Sequence, residues 1–421
     1  MFFKLLKDAL KVKNVRNKIF FTLFIIFVFR VGTHITVPGI NAKSLDQLGE
    51  LPFLNMLNLV SGNAMSNFSV FSMGVSPYIT ASIIVQLLQM DILPKFVEWS
   101  KQGEVGRRKL NQATRYISLV LAFIQSIGIT AGFNTLSSIS LVSTPNVKTY
   151  ILIGALLTTG SMIVTWLGEQ IADKGFGNGV SMIIFAGIIS SIPKAISTIY
   201  EDFFVNVRSS DLISSYIFVA LLIVAVLAIV FFTTFVQQAE YKIPIQYTKL
   251  VQGAPTSSYL PLKINPAGVI PVIFASSITT IPSTIIPLIS NGHDIPWLTT
   301  LESYLNYQTP IGMVIYAVLI ILFSFFYTFV QVNPEKTAEN LQKGASYIPS
   351  VRPGRETEEY LSSLLKKLAT LGSIFLAFIS LTPIIAQQAM KLSSSIAIGG
   401  TSLLILISTG IEGMKQLEGY L

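Results

Sequence analysis

The chain has 421 residues, of which 51% are hydrophobic and only 12% are charged, and its formal net charge is +8. Because charged residues make up about 25% of an ordinary globular protein, this chain has too little polar surface to cover a water-soluble body of its length. Its lack of cysteine and its two histidines exclude thiolate sites and argue against a multi-histidine metal centre, so neither metal nor cofactor is expected. The composition predicts a polytopic membrane protein.

A helix needs about 20 apolar residues to cross a hydrocarbon core about 30 Å thick. Ten segments of this kind follow one another along the chain, at 19–37, 74–90, 115–133, 150–167, 180–198, 212–235, 267–289, 310–331, 368–388 and 396–413. No cleavable signal peptide is expected, since the first segment ends in Val37-Pro38-Gly39-Ile40 without a small-residue cleavage site. We therefore predict an all-α protein with ten transmembrane helices.

Lysine and arginine are distributed unequally between the two sides that these segments define. The terminal segments and the even-numbered loops hold 23 of the 29 basic residues, and the opposite side holds five. Loops rich in lysine and arginine stay in the cytoplasm. Both termini are therefore predicted to be cytoplasmic.

The region between the first two segments, 54–73, is moderately apolar but rich in Ser, Asn and Gly. It is too polar for a stable lipid-facing helix and is tolerated at membrane depth only when protein or a cavity surrounds it. A short re-entrant helix fits this pattern, and an ordinary external loop is the alternative. Arg30, an ionisable residue well inside the first predicted span, either snorkels to the interface or is paired inside the bundle.

Two long cytoplasmic loops, 236–265 and 332–366, are polar, basic and interrupted by Pro and Gly. They are either solvated loops that fix the topology or a docking surface for a soluble partner. Ten segments also divide into halves of five, 1–200 and 201–421, which permits an inverted repeat.

Motifs for energy conversion are missing from the sequence. It has neither a Walker-type loop nor a His-Glu-x-x-His motif, and the glycine-rich stretch 175–179 lies between two apolar segments without the strand that a nucleotide loop requires. The predicted spans contain no carboxylate near their centres, which argues against an ion-coupled transporter. We therefore predict a passive protein and not an enzyme.

Five stretches of sequence carry a family resemblance that extends along the chain. They are VFSMGVSPYITASIIVQLL at 70–88, GEVGRRK at 103–109, WLGEQI at 166–171 with GNGVS at 177–181, LPLKINPAGVIP at 260–271 and GGTSLLI at 399–405. Together they resemble the SecY family, the pore subunits of the bacterial protein-conducting channel.

The resemblance implies a clamshell of two inverted five-helix halves around a central pore, with a lateral gate between spans two/three and seven/eight. It places an apolar pore ring at Val75, Ile79, Ile184, Ile273 and Ile405. It places a re-entrant plug helix at about 54–73, including Val60, Ser61, Gly62, Asn63, Ala64, Phe68 and Phe71. Polar gate residues are expected at Ser82, Gln86, Gln125 and Ser277. From residue pattern alone, each ring residue is an ordinary packing residue.

The resemblance also implies a function and its partners. The chain is expected to pass unfolded secretory polypeptides across the bacterial plasma membrane and to release transmembrane segments sideways into the lipid. SecA or the ribosome would drive it, SecE and SecG would brace it, signal peptides and nascent chains would be its substrates, and direct DNA binding is not expected. Docking residues are expected at Arg107, Arg108, Lys249, Lys343, Arg352 and Arg355.

One feature departs from the family, because the loop tip at Gly253-Ala254-Pro255-Thr256 lacks an arginine pair found in many relatives. Three other functional classes stay open at this point. They are an inverted-repeat secondary transporter, an accessory relative dedicated to a few exported glycoproteins, and a structural scaffold. Substrate range would separate a general channel from the accessory type.

Overall fold

The computed structural model describes residues 8–41, 61–62, 64–89, 92–136, 142, 145–205, 212–247, 257–279, 296–306, 308–390 and 400–420. The first helices are α1 (Lys13–Gly32), α2 (Ser76–Leu88), α3 (Pro94–Lys101), α4 (Gly103–Leu136), α5 (Val147–Lys174) and α6 (Gly179–Tyr200). They are followed by α7 (Leu212–Gln238), α8 (Ile270–Thr279), α9 (Pro296–Leu305), α10 (Pro310–Gln331), α11 (Pro334–Lys343), α12 (Arg355–Met390) and α13 (Gly400–Tyr420).

All ten predicted segments overlap one of these helices. Within the described ranges, six helical spans are long and apolar enough to cross a membrane, and they overlap α4, α5, α6, α7, α10 and α12. Helices α2 and α8 are apolar but shorter. Helices α4 and α12 begin well before the predicted segments 115–133 and 368–388, because their first turns are polar and a search for apolar runs does not detect them.

Local sequence explains where several helices begin. Proline stands in the first turn of α2, α3, α10 and α11, where its missing N–H would have no helical partner in any case. The side chains of Asn178, Thr309 and Asn333 accept hydrogen bonds from the backbone N–H groups of Ser181, Gly312 and Lys336. These contacts satisfy donors that the start of a helix leaves unpaired.

A small sheet makes the all-α prediction incomplete. Strands β1 (Glu240–Tyr247) and β2 (Ser257–Lys263) pair antiparallel with Ile243 opposite Leu260, and β3 (Ser346–Tyr347) pairs with the other edge of β1. Ile243 and Ile245 are buried, whereas their neighbours along β1 point outward. The two loops predicted at 236–265 and 332–366 therefore share one sheet, with Ile243 and Leu262 packed against α11 and α12.

Between α1 and α2 the chain forms the turn segment, defined as residues 61–75 without residue 63. Residues 64–75 follow consecutive turns, so the predicted plug helix is wrong for this stretch, and the part 54–60 lies outside the described residues. Positive φ angles at Gly62 (68°), Phe68 (41°) and Gly74 (52°) reverse the chain and are incompatible with a continuous helix.

The turn segment satisfies its backbone with partners on neighbouring elements. Val37 N–H donates to Phe68 O (3.1 Å), and Val70 N–H donates to Ile35 O (2.9 Å). The Ser161 hydroxyl on α5 donates to Gly74 O (2.9 Å). An irregular chain at membrane depth is stable only with such internal partners.

The C-terminal end of α13 joins several elements from both parts of the chain. Lys415 Nζ lies 2.6 Å from Glu240 on β1, and Lys18 Nζ on α1 donates to the Tyr420 hydroxyl (2.9 Å). Gln416 accepts a hydrogen bond from the Gly177 N–H in the loop after α5 (2.7 Å). One helix thus connects α1, the α5–α6 loop and the sheet.

We predict that Gly160→Ala destabilises the protein, because a Cβ at residue 160 would lie 1.8 Å from Val70 O in the turn segment. A backbone clash of this kind costs on the order of 1–3 kcal/mol. Gly410→Ala on α13 is the matched control, since its Cβ would meet nothing within 4 Å. Thermal unfolding in detergent should separate the two variants, and equal melting temperatures would contradict the close approach.

We predict that Lys415→Met lowers the melting temperature at pH 7 and has less effect below about pH 4.5. The hydrogen bond from Lys415 lowers the pKa of Glu240 below its ordinary value of 4.5. A carboxylate with a lowered pKa stabilises the fold above its unfolded-state pKa, and this contribution disappears as the pH falls through the folded-state value. The pair is partly exposed, so the effect should not exceed about 1 kcal/mol. Lys336→Met, at an exposed position, is the control. If Lys415→Met lowered the melting temperature equally at all pH values, the assignment of the effect to the Lys415–Glu240 pair would be contradicted.

Candidate functional site

Five residues were predicted as a pore ring, and we call these five residues the apolar ring. They belong to one contiguous apolar cluster. Val75 precedes α2 and Ile79 lies on it, whereas Ile184, Ile273 and Ile405 lie on α6, α8 and α13. Val75, Ile184 and Ile405 are buried, and Ile79 and Ile273 are half-buried at the edge of the cluster. Elements from both halves of the chain therefore meet at these side chains.

The chemistry of the apolar ring favours a seal. Branched aliphatic side chains have no hydrogen-bond donors or acceptors for water and no charge for ions. A constriction lined by them therefore excludes a continuous column of water molecules. They also adapt to different shapes without breaking hydrogen bonds. Side chains arranged in this way can pack against one another or against a polypeptide that lies between them.

The turn segment packs directly against the apolar ring. Ala64 and Phe71 belong to the same cluster as the ring, and Phe68 belongs to a second cluster with Met65 and Val37. Of the predicted plug residues, those described are all buried, and Val60 and Asn63 lie outside the described residues. The described part of the predicted plug is thus enclosed by protein and in contact with the ring.

Helix α1 holds the turn segment through a stacked pair of rings and one charged hydrogen bond. The rings of Phe29 and Phe71 are stacked with centroids 6.1 Å apart. The guanidinium of Arg30 donates through Nη1 to Gly62 O (2.8 Å). Of the two interpretations of Arg30 open from the sequence, the structure shows pairing inside the bundle.

The predicted gate residues are not joined into one network. Gln86 donates through Nε2 to the Ser82 hydroxyl (3.3 Å), and Ser277 donates to Ile273 O (2.8 Å). Gln86 Oε1 is buried without a hydrogen-bond partner in the part of the chain that is described, and Gln125 on α4 is half-buried. Helices α2 and α8 meet instead through apolar side chains, with Ile83 packed in the same cluster as Val272 and Ala275.

The predicted docking residues lie on exposed surfaces. Arg107 and Arg108 are near the start of α4, Lys343 ends α11, Arg352 lies in the turn before α12, Arg355 begins α12, and Lys249 lies outside the described residues. Side chains of Arg352 and Arg355 are 87% and 89% exposed, and each forms an ion pair with a glutamate four residues on. Exposed pairs of this kind are weak, so both guanidinium groups remain accessible to an acidic partner.

A bidentate ion pair that the sequence did not predict fixes α4 to α5. Arg115 donates through Nε and Nη2 to the two carboxylate oxygens of Glu169, at 2.8 and 2.7 Å. Both residues were visible as charges at span ends, but nothing in their spacing indicated that they meet. In the described residues, no group of three or more His, Cys, Asp or Glu side chains is arranged to hold a metal ion.

Comparison with known proteins identifies the family. The family model described as SecY matches residues 69–414. The protein translocase subunit SecY of Streptococcus gordonii is 72% identical over 422 residues, covering 100% of this chain and 97% of the relative. The protein translocase subunit SecY of Bacillus subtilis is 49% identical over 423 residues, with the same coverage.

A solved structure gives an independent comparison of the fold. It concerns a SecY protein whose plug domain is reported to stabilise the closed state of its channel, and it aligns with a TM-score of 0.69 over 96% of this chain and 92% of that one. At 17% identity this similarity concerns the fold alone. The family predicted from the sequence motifs is therefore confirmed, and the chain belongs to the SecY family, whose members are translocase subunits and not enzymes.

Proposed function

We propose that this chain is the channel subunit of a protein translocase and conducts unfolded secretory polypeptides through the apolar ring. The observation that carries the proposal is the convergence of Val75, Ile79, Ile184, Ile273 and Ile405 from four regions of the chain into one cluster. A binding protein or scaffold has no need for such an adaptable seal between its halves. The buried turn segment is the plug that completes the closed state.

The proposed architecture is a clamshell of two inverted halves, 1–200 and 201–421, with all ten helices crossing the bacterial plasma membrane. The helices that overlap the ten predicted segments support this count. The excess of lysine and arginine on one side supports cytoplasmic termini.

Transmembrane segments of substrates would leave the channel between α2 and α8. The apolar cluster that Ile83 shares with Val272 and Ala275 supports this route, because a hydrophobic helix can replace such packing without loss of polar bonds. Ser82, Gln86, Gln125 and Ser277 would tune the polarity of this gate. A signal peptide would be the first segment to occupy it, with membrane lipid on its outer side.

The energy for transport would come from soluble partners, either SecA or the ribosome, with SecE and SecG as membrane partners of the chain. The exposed arginines at the start of α12 support docking on the face that carries the sheet and α11. Because β1, β2, α11 and α12 share one buried core, this face offers a rigid surface and not two independent loops.

The pore assignment predicts crosslinks from the ring to a substrate in transit. The chain lacks cysteine, so Ile79→Cys and Ile273→Cys each introduce one reactive thiol. With SecA and a stalled secretory substrate carrying one cysteine, both variants should form a disulfide with the substrate. Val224→Cys on α7 is the control, because that side chain is 65% exposed on an apolar helix surface. A stalled substrate that crosslinks to neither ring position would overturn the pore assignment.

The docking assignment predicts that Arg352→Glu weakens SecA-driven transport into proteoliposomes by roughly tenfold or more, since it replaces an attractive charge by a repulsive one. Lys367→Glu makes the same charge change at an exposed position further along α12 and should have a much smaller effect. Binding of SecA to the reconstituted variants should weaken in parallel with transport. Equal loss in both variants would indicate a general effect of charge and not a docking contact.

A further inference from the structure

We infer that Arg30 is a positioning residue that latches the Gly62 end of the turn segment in the closed channel. This inference rests on the proposed function, in which the turn segment closes the pore. Arg30 Nη1 donates to Gly62 O at 2.8 Å. Among the residues described, no carboxylate forms an ion pair with Arg30.

A cation at this depth requires a polar partner, because an unsatisfied charge away from water is costly. Here the partner among the described residues is the backbone carbonyl of Gly62. A hydrogen bond from a cation to a neutral carbonyl is stronger than an ordinary one but weaker than a buried ion pair. In the open channel, water can solvate both the guanidinium and the carbonyl. The contact is therefore favourable when water is excluded and is easily released when water enters.

The geometry around Gly62 explains why this point is suited to a latch. Gly62 has φ of 68°, and a Cβ there would lie 3.0 Å from Gly187 Cα on α6 and 3.3 Å from the Phe29 ring. The segment therefore fits against α1 and α6 only by close backbone approach. Holding Gly62 in place keeps the adjacent Ala64 against the apolar ring.

The remainder of the turn segment is fastened by other contacts. Ala64 O accepts hydrogen bonds from Ser69 N–H (3.0 Å) and from the Ser72 hydroxyl (2.9 Å). Phe68 and Val70 are bonded to the chain after α1 through Val37 and Ile35. Loss of the Arg30 contact should therefore release residues 61–62 and leave 64–75 attached.

The test is the reactivity of single cysteines toward a small water-soluble maleimide in the full chain, reconstituted without substrate. Ser61→Cys reports the latched end, Ser69→Cys the fastened part and Ser373→Cys a distant site on α12. All three serines are at most 1% exposed. Each is combined with wild-type Arg30, Arg30→Met or Arg30→Lys.

Arg30→Met should accelerate labelling of Ser61→Cys by roughly 10- to 100-fold, which is the factor expected when one charge-assisted hydrogen bond is lost. Labelling at residues 69 and 373 should change by less than about twofold, since their contacts do not involve Arg30. Arg30→Lys, which retains a donor, should restore much of the protection. The ion conductance of the resting channel should rank the variants as the labelling does. It should be lowest with wild-type Arg30, intermediate with Arg30→Lys and highest with Arg30→Met.

Two outcomes would overturn the latch. Unchanged labelling of Ser61→Cys would show that Arg30 does not hold this end, and faster labelling at all three positions would show general loosening of the fold. Because labelling needs neither SecA nor a substrate, it is independent of the crosslinking test of the pore. A failed pore test with positive labelling would leave the contact in place and remove its role in a channel.

Discussion

The structure depends on one constraint, which is that a backbone leaving the helical form between two apolar helices must find its hydrogen bonds within the protein. The turn segment meets it with bonds to Val37, Ile35 and Ser161. Such bonds require close approach, and glycines provide it, since a Cβ at Gly32 would overlap the Phe71 ring and one at Gly160 would overlap Val70 O. The small residues of α1 and α5 are therefore part of the same solution as the irregular chain that they enclose.

The contacts of the turn segment also bear on how the proposed pore would close. The residues that join the turn segment to the apolar ring, Ala64 and Phe71, are apolar, and the charge that touches the segment is paired with a neutral carbonyl. Among the described contacts, separating these surfaces therefore does not require a buried ion pair to be broken. In the proposed channel, the closed state can thus be stable against leakage and still be opened by the modest free energy of a bound partner.

The sequence predicted the helical segments well because a long apolar run, in a chain with so little charge, rarely forms anything but a membrane-spanning helix. It missed the sheet because β1 contains Pro244 and lies in a stretch whose polarity resembles a loop. The residues of the apolar ring could be predicted only from the family motifs, since Val and Ile at helical spacing also fill ordinary protein cores. Arg115 and Glu169 are 54 residues apart, and no periodicity connects them, so only the fold brings them together.

The position of α13 connects the proposed docking face with the apolar ring in a way that neither feature shows alone. Ile405 contributes to the apolar ring, and Lys415, ten residues further along the same helix, pairs with Glu240 at the start of β1. Ten helical residues span about 15 Å, which is short enough for the helix to move as one rod. In the proposed channel, a partner that displaces the sheet therefore acts on a ring residue through one rigid element. The bonds of Gln416 and Tyr420 to the α5–α6 loop and α1 oppose that displacement, so α13 has the two competing sets of contacts that coupling between distant sites requires.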